Sequence, residues 1–441
     1  MLKRIVSTVI AITIVMGMAA CSQQNDNSSK NKSAQSASFV LADDVAQPTA
    51  NIEFKKADTS DSSEFDKGFI SSVNGFSVEL FKRTAKQELE NNSNFLISPE
   101  SCAIALGMTA NGAKGETAEQ MKKVLYADTD IGTFNKNFNL ILSGIQSDSY
   151  GQLRSANSVW VKDVQGKDLT AKFTNTCKEV YNAELFKAPF NDKTVEQINS
   201  WVNDKTDKMI PEIIKELSED DKALLVNCLA FDAKWAKEFE DSDTQKGASF
   251  TKADGSVVKC DMMSGTAKKY IRDADTTGFI KDYAGGRYAF MALLPNEGTS
   301  LSDHIGSLTA EKFTKLYENR LTNEEISVYM PRFKSDYSAT LNKTLTDMGI
   351  KDAFLDESAD FSDMSSDYKL HISKVIHKTH IEVTEGGTKA EAATAVEMVD
   401  SAAPPADQTK VVLDRPFAYA IMDTQTGLPV FMGAVCDPSA G

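Results

Sequence analysis

Apolar residues recur at near-helical spacing early in the chain and in short dense runs later. Between Gly68 and Glu90 the large apolar side chains fall at Phe69, Ile70, Val73, Phe76, Leu80 and Phe81. That spacing is close to 3.6 residues and predicts an amphipathic helix. Ser101–Asn111 and Thr117–Leu125 predict two more helices by the same pattern. Further on, Ala223–Phe231, Tyr288–Leu294, Glu325–Met330, Leu370–Val383, Phe417–Asp423 and Val430–Val435 are short runs rich in Val, Ile and Phe, several bounded by turn residues. Such runs predict strands. Helices first and strands later indicate an α+β domain, not a doubly wound one. From residue 64 to the end no linker or fixed repeat divides the chain, so a single domain of about 375 residues is expected, large for one core. A long mixed sheet flanked by helices is one way to remain a single domain at that size.

The start of the chain follows different rules. Lys3 and Arg4 precede an apolar run, Ile5–Met16, and small residues stand before Cys21. This is the layout of a secretory signal, and the run is shorter than the ~20 residues of a membrane-spanning helix. Met18-Ala19-Ala20-Cys21 resembles a bacterial lipobox, which implies removal of residues 1–20 and lipidation of Cys21. An ordinary signal peptide with an incidental cysteine is the alternative. Residues 21–63 are Ser, Asn, Gln, Asp and Ala with few large apolar side chains, a composition that cannot repay the entropy of compact folding. They are expected to form a flexible tether carrying residues 64–441. Ser22 after the cysteine is compatible with sorting to the outer membrane or cell surface.

Composition narrows the function. Of 441 residues, 41% are hydrophobic and 25% charged, as in an ordinary globular protein. The net charge of −15 repels phosphate backbones, so no nucleic-acid partner is expected. Five cysteines follow Cys21, namely Cys102, Cys177, Cys228, Cys260 and Cys436. An odd number forbids complete internal pairing, and buried free thiols are the expectation. No nucleophile elbow, Walker loop, zinc-binding helix motif or dinucleotide fingerprint is present, so neither cofactor nor metal is expected. His371, His377 and His380 invite a metal reading, but on a strand His377 and His380 point to opposite faces. His377 is predicted buried and hydrogen-bonded, and His380 solvated.

The segment from Glu385 to Pro405 carries the functional signal. Thr388, Ala390, Ala392, Thr394, Val396 and Met398 are uncharged, whereas the alternate series, Lys389, Glu391, Ala393, Ala395, Glu397 and Val399, holds every charge of the run. This is the period of a strand with one face on a core. Small residues dominate it, however, and they are poor material for a permanent central strand. The segment is suited to be a strand in one state and a loop in another.

Here the chain resembles the serpins, the serine-protease-inhibitor family, from about Phe65 to Pro438. The hinge Glu385-Gly386-Gly387-Thr388, followed by Ala390, Glu391, Ala392, Ala393 and Thr394, is similar to the family's inhibitory hinge. Asn94–Ser101, Val226-Asn227 with Phe231 and Lys234-Trp235, Met330–Phe333, Asp414–Phe417 and Phe431–Gly433 match other family motifs in order. The resemblance implies a serpin fold: a large mixed central sheet, further sheets, about nine helices and an exposed reactive-centre loop near 385–410. It also implies a suicide mechanism, in which a protease cleaves the loop, forms a covalent acyl complex and is carried off as the hinge inserts into the sheet. Ser98, Ser101, Asn227 and His377 match the family's shutter, and Trp235, Arg332 and Glu385 its breach. As a strand, the 14 residues Thr388–Ser401 span about 45 Å. Glu391 departs from the small-residue hinge, but on the outward parity it can stay solvated.

Counting from Glu385 as the family counts places the reactive bond between Ser401 and Ala402, with Asp400, Val399 and Met398 as rivals. No Lys or Arg lies between Ala390 and Thr409, so trypsin-like enzymes should act poorly. Small and aliphatic candidates suit an elastase-like pocket, and a cut after Asp400 would suit an Asp-specific protease. The expected protein is a monomeric, lipid-anchored inhibitor of serine proteases that catalyses nothing with turnover. The alternative keeps the fold but makes it a non-inhibitory binding module whose loop is only a substrate.

Overall fold

A computed structural model describes residues 65–146, 148–150, 152–322, 325–388 and 409–440. The first helix, α1 (Lys67–Glu88), begins where Asp66 accepts the amide of Phe69, and it buries Phe69, Val73, Phe76, Leu80 and Phe81. Each such side chain contributes ~1.5–3 kcal/mol of burial. Helix α2 (Pro99–Ala110) starts with Ser98 as its cap and proline in its first turn, where a missing amide costs nothing. It is not amphipathic as expected, because all twelve of its residues are buried. Small residues permit this: a Cβ on Gly107 would stand 2.8 Å from Phe134 and from the Tyr181 hydroxyl. Helix α3 (Gly115–Leu125) lies at its expected place.

The described residues contain nine α-helices and seventeen strands in three sheets, an α+β arrangement. Two sheets frame the core. One orders Phe95–Ile97, Pro429–Val435, Phe417–Asp423, Tyr288–Pro295, Thr276–Asp282 and Lys269–Arg272, and the other orders Lys410–Val412, Ile326–Pro331, Val257–Ala267 and Gln245–Thr251. The third is the central sheet, with strands β1 (Leu153–Lys162), β2 (Ala183–Ala188), β3 (Ala223–Phe231), β4 (Ala233–Lys234), β5 (Phe333–Thr340), β6 (Ile372–Val383) and β7 (Gly387–Thr388). Its spatial order is β2-β1-β3-β6-β7-β4, with β5 on the far edge of β6. The helices-then-strands order holds only in outline, since β1 comes early and helices at Leu301–Ser307, Ala310–Glu318 and Asn342–Met348 come late.

All five cysteines beyond the tether are buried and free. Among the described residues no helix is long and apolar enough to cross a membrane.

One buried carboxyl stands out. Glu100, in the first turn of α2, is 1% exposed. Burial, helped by the charge of Asp423 and opposed by Arg287, pushes its carboxyl up to about 8. Between pH 4.5 and 8 the folded chain therefore keeps a proton that the unfolded chain releases, and stability falls as pH rises through that window. Glu100→Gln should remove this component. In urea unfolding at pH 5 and pH 8, the parent chain should lose up to about 1.4 kcal/mol per pH unit relative to the variant. Parallel pH profiles would refute the assignment.

Candidate functional site

The central sheet contains a seam. Strands β3 and β6 run parallel, but their ladder joins only Ala223–Val226 to Ile372–Ile376. Above that level Asn227–Phe231 pair on their other side with β1, and His377–Val383 pair on theirs with β5. At the top the seam is closed by β7, where Thr388 pairs antiparallel with Val383 of β6 and with Ala233 of β4. The last described residue before the gap, Thr388, is thus already a strand residue. It is fully buried, and its hydroxyl lies 2.7 Å from that of Tyr283.

Chain reversal into β7 needs glycine. Gly387 has φ +154°, and a Cβ there would stand 2.1 Å from the Ala233 carbonyl oxygen. The bend is held from both sides. The Thr384 amide donates to Gly387 O at 2.8 Å, and the Trp235 and Phe239 amides donate to Gly386 O and Glu385 O, each at 3.0 Å.

The breach residues converge on this bend. Glu385 is 6% exposed and accepts Arg332 Nε at 2.7 and 2.6 Å and the Thr244 hydroxyl at 2.6 Å. Burial raises its carboxyl, but these hydrogen bonds outweigh that and hold it below the usual range. Trp235 donates its indole N–H to Thr384 O at 2.9 Å and stacks on Tyr283 with centroids 4.4 Å apart. Lys281 places its amine 4.3 Å over Phe239 and 5.7 Å over Trp235. Burial, aided by Lys237, pushes that amine down to about 8.

Three of the four shutter residues meet beneath the lower end of the seam. The Ser98 amide donates to His377 Nε2 at 3.0 Å, the Ser98 hydroxyl donates to Val430 O at 2.8 Å and accepts the Ser101 amide at 3.3 Å. Because Nε2 accepts, a neutral His377 carries its proton on Nδ1, which faces Cys102 Sγ at 3.5 Å. Burial pushes His377 down to about 4. Asn227 is the exception. Its side-chain amide donates to Asn157 of β1, and its own Oδ1 is buried without a partner, so it does not complete the expected four-residue network. Along β6 the expected alternation is present: Val375, His377, Thr379, Ile381 and Val383 are buried. His380 lies on the opposite face, as the alternation requires. It is not free in solvent, however: it is half-buried and hydrogen-bonded through Nδ1 to Asp336 of β5 at 2.6 Å.

Residues 1–64 with Cys21 lie outside the described residues. So do the hinge positions Ala390, Glu391, Ala392, Ala393 and Thr394 and the reactive-bond candidates Met398, Val399, Asp400, Ser401 and Ala402. Sequence reasoning did not single out Tyr283, Thr244, Asn157, Cys102 or Lys281. Each acts through contacts to residues far away in sequence, and no local pattern announces such contacts.

A family profile described as "Serpin (serine protease inhibitor)" matches residues 71–438. A serpin-like protein of Thermococcus kodakarensis is 33% identical over 85% of this chain and 87% of its own length. Among solved structures, the thermophilic serpin tengpin in its native state superposes with a TM-score of 0.80 at 36% identity, covering 91% of this chain and 99% of tengpin. The same protein in its latent state gives 0.73 at 35% identity over 85% and 99%.

The shutter geometry has a pH signature. Between pH 6.5 and 4 the unfolded chain binds a proton on His377 that the folded chain refuses, so stability falls as pH falls through that window. His377→Gln, which can still accept from Ser98, should flatten the acid limb. Urea unfolding at pH 7 and pH 4.5 should show the parent losing roughly 2–3 kcal/mol more than the variant. An equal loss in both would show that His377 does not titrate this way.

Proposed function

This chain belongs to the serpin family, and from that premise we propose that it inhibits serine proteases by suicide insertion of its reactive-centre loop. The observation that carries the reading is Thr388. It already stands as a strand residue at the head of a seam whose lower ladder must part for the chain to follow it. The uncharged parity from Thr388 to Met398 provides the material for that addition, since only small or apolar side chains can enter the buried face. The bond cleaved is Ser401–Ala402, and the absence of Lys and Arg around it directs the loop towards elastase-like enzymes with small or aliphatic preference. Cys21 carries a lipid that anchors the head, as a monomer, to the outer membrane or cell surface through residues 22–63.

The breach restrains early insertion. Glu385 and Arg332 fasten the bend at the top of the seam, and the carboxylate is the buried partner, so its replacement leaves more than a screened surface pair behind. Glu385→Lys sets a second cation beside Arg332. It should lower inhibitory yield and promote polymers, checked by titration against elastase and by size-exclusion chromatography. An unchanged yield with a monomeric profile would remove this role.

The reading itself is tested by mixing the purified head with pancreatic and neutrophil elastases. A covalent complex on denaturing gels and a released C-terminal fragment beginning at Ala402 are expected. Clean cleavage without a complex would favour the substrate-like, non-inhibitory alternative.

A further inference from the structure

The register at the top of the seam can be counted downwards. Because Thr388 faces Val383 in an antiparallel pair, each further residue that joins the strand faces one residue earlier on β6. Residue 389 then meets Glu382, residue 391 meets His380 and residue 397 meets Lys374. The count along the other side, from Thr388 opposite Ala233, agrees with it: both bring residue 395 to the level where Val226 and Ile376 now pair. On that register the three charges of the segment, Lys389, Glu391 and Glu397, each arrive beside an opposite or proton-binding partner on the outward face of β6.

We propose that Glu382, His380 and Lys374 form a charge code on β6 that receives residues 389–397 and fixes the register in which they add to the sheet. The proposal rests on the insertion reading above and deepens it. Alternation alone forbids a slip by one residue, which would turn the apolar series outward, but permits a slip by two. Charge disfavours that as well. A slip one way sets Glu391 against Glu382, and the other way, although it brings Glu391 to Lys378, sets Lys389 against His380 and leaves Glu397 opposite Ile372. Opposite charges directly across a sheet stabilise and like charges destabilise, so the counted register is the one in which every charge is matched.

His380 enters the code already hydrogen-bonded to a carboxylate of the neighbouring strand. The charged groups around it are Asp336 and Lys334 from β5 and Lys378 and Glu382 along its own strand, and Ala230, at its level across the seam, adds none. Protonated, the imidazole would stand between Asp336 and Glu391 and satisfy both carboxylates. Lys374 is likewise already paired, 2.9 Å from Asp221.

The test uses the full chain with residues 402–408 replaced by the recognition sequence of a site-specific endoprotease, so that cleavage falls beyond the inserting stretch. For each variant the guanidinium resistance of the cleaved form is compared with that of its own intact form, which cancels any general loss of stability. The variants are His380→Glu, Glu391→Lys and the pair together, then Lys374→Glu, Glu397→Lys and that pair together. Each single reversal should cut the gain on cleavage, and each double should restore it, with a coupling of about two- to fivefold in the unfolding equilibrium. Gain on cleavage with additive single effects would overturn the charge code and leave insertion standing. No gain in the parent chain would overturn insertion itself.

Discussion

The structure turns on an incomplete ladder. A strand in the middle of a sheet normally has both rows of backbone groups engaged by neighbours, because an unpaired amide or carbonyl away from water costs about as much as a lost hydrogen bond. Here β3 and β6 share a ladder over only their lower ends, and two residues of β7 complete the upper end. Everything else in the site can be understood as holding this arrangement short of its best-paired state. One more antiparallel strand between β3 and β6 would engage both rows over their whole length, at the expense of the few parallel pairs now present.

Two groups of side chains hold the seam, and they work by different physics. At the top the restraint is electrostatic and aromatic. Glu385 is fastened to Arg332 and Thr244, and Trp235, stacked on Tyr283, ties down the carbonyl that precedes it. At the bottom the restraint is a neutral buried network centred on Ser98 and His377, whose imidazole accepts from the cap of the fully buried helix α2. A neutral network can exchange partners without exposing charge, which suits a place where strands would part on the proposed insertion. Asn227, with one buried oxygen unpartnered and its amide given to Asn157, has hydrogen-bonding capacity that a new neighbouring strand could use.

The sequence made much of this legible, for reasons that differ by element. Ala223–Phe231 and Phe417–Asp423 were legible to the residue because dense, almost wholly apolar runs bounded by polar residues admit little else. The face of His377 followed from alternation alone. The helix Ile131–Gln146 was not singled out, although Phe134, Phe138, Ile141 and Leu142 recur at helical spacing, because three of its polar positions are asparagine, a weak helix former, and Gly132 and Gly144 weaken the pattern further. Strand β1 gave no alternation to read, since its residues from Ala156 to Val161 are buried on both faces. Within the site, motif and parity located Glu385, Arg332, Trp235, Ser98 and His377. The partner of Asn227 was hidden, as was the contact of His380 with Asp336, because both depend on which strand lies alongside and not on any local pattern.

The same register bears on which bond the loop must offer. Counted from Thr388 opposite Val383, residue 399 falls opposite Ile372, the first residue of β6. On the proposed insertion, β6 would then offer partners only as far as Val399. A protease esterified to Met398 would be attached to a residue still within the ladder, and its bulk would oppose the last pairs of the insertion. Attached to Asp400 or Ser401, it would hang one or two residues beyond the sheet's lower edge, free of that conflict and carried the full length of the seam. On the proposed insertion the two later bonds would avoid that conflict, and the small side chain of Ser401 would suit an enzyme that accepts small residues. The length of β6 and the composition of the loop, which are independent features of the chain, favour the same end of the candidate range.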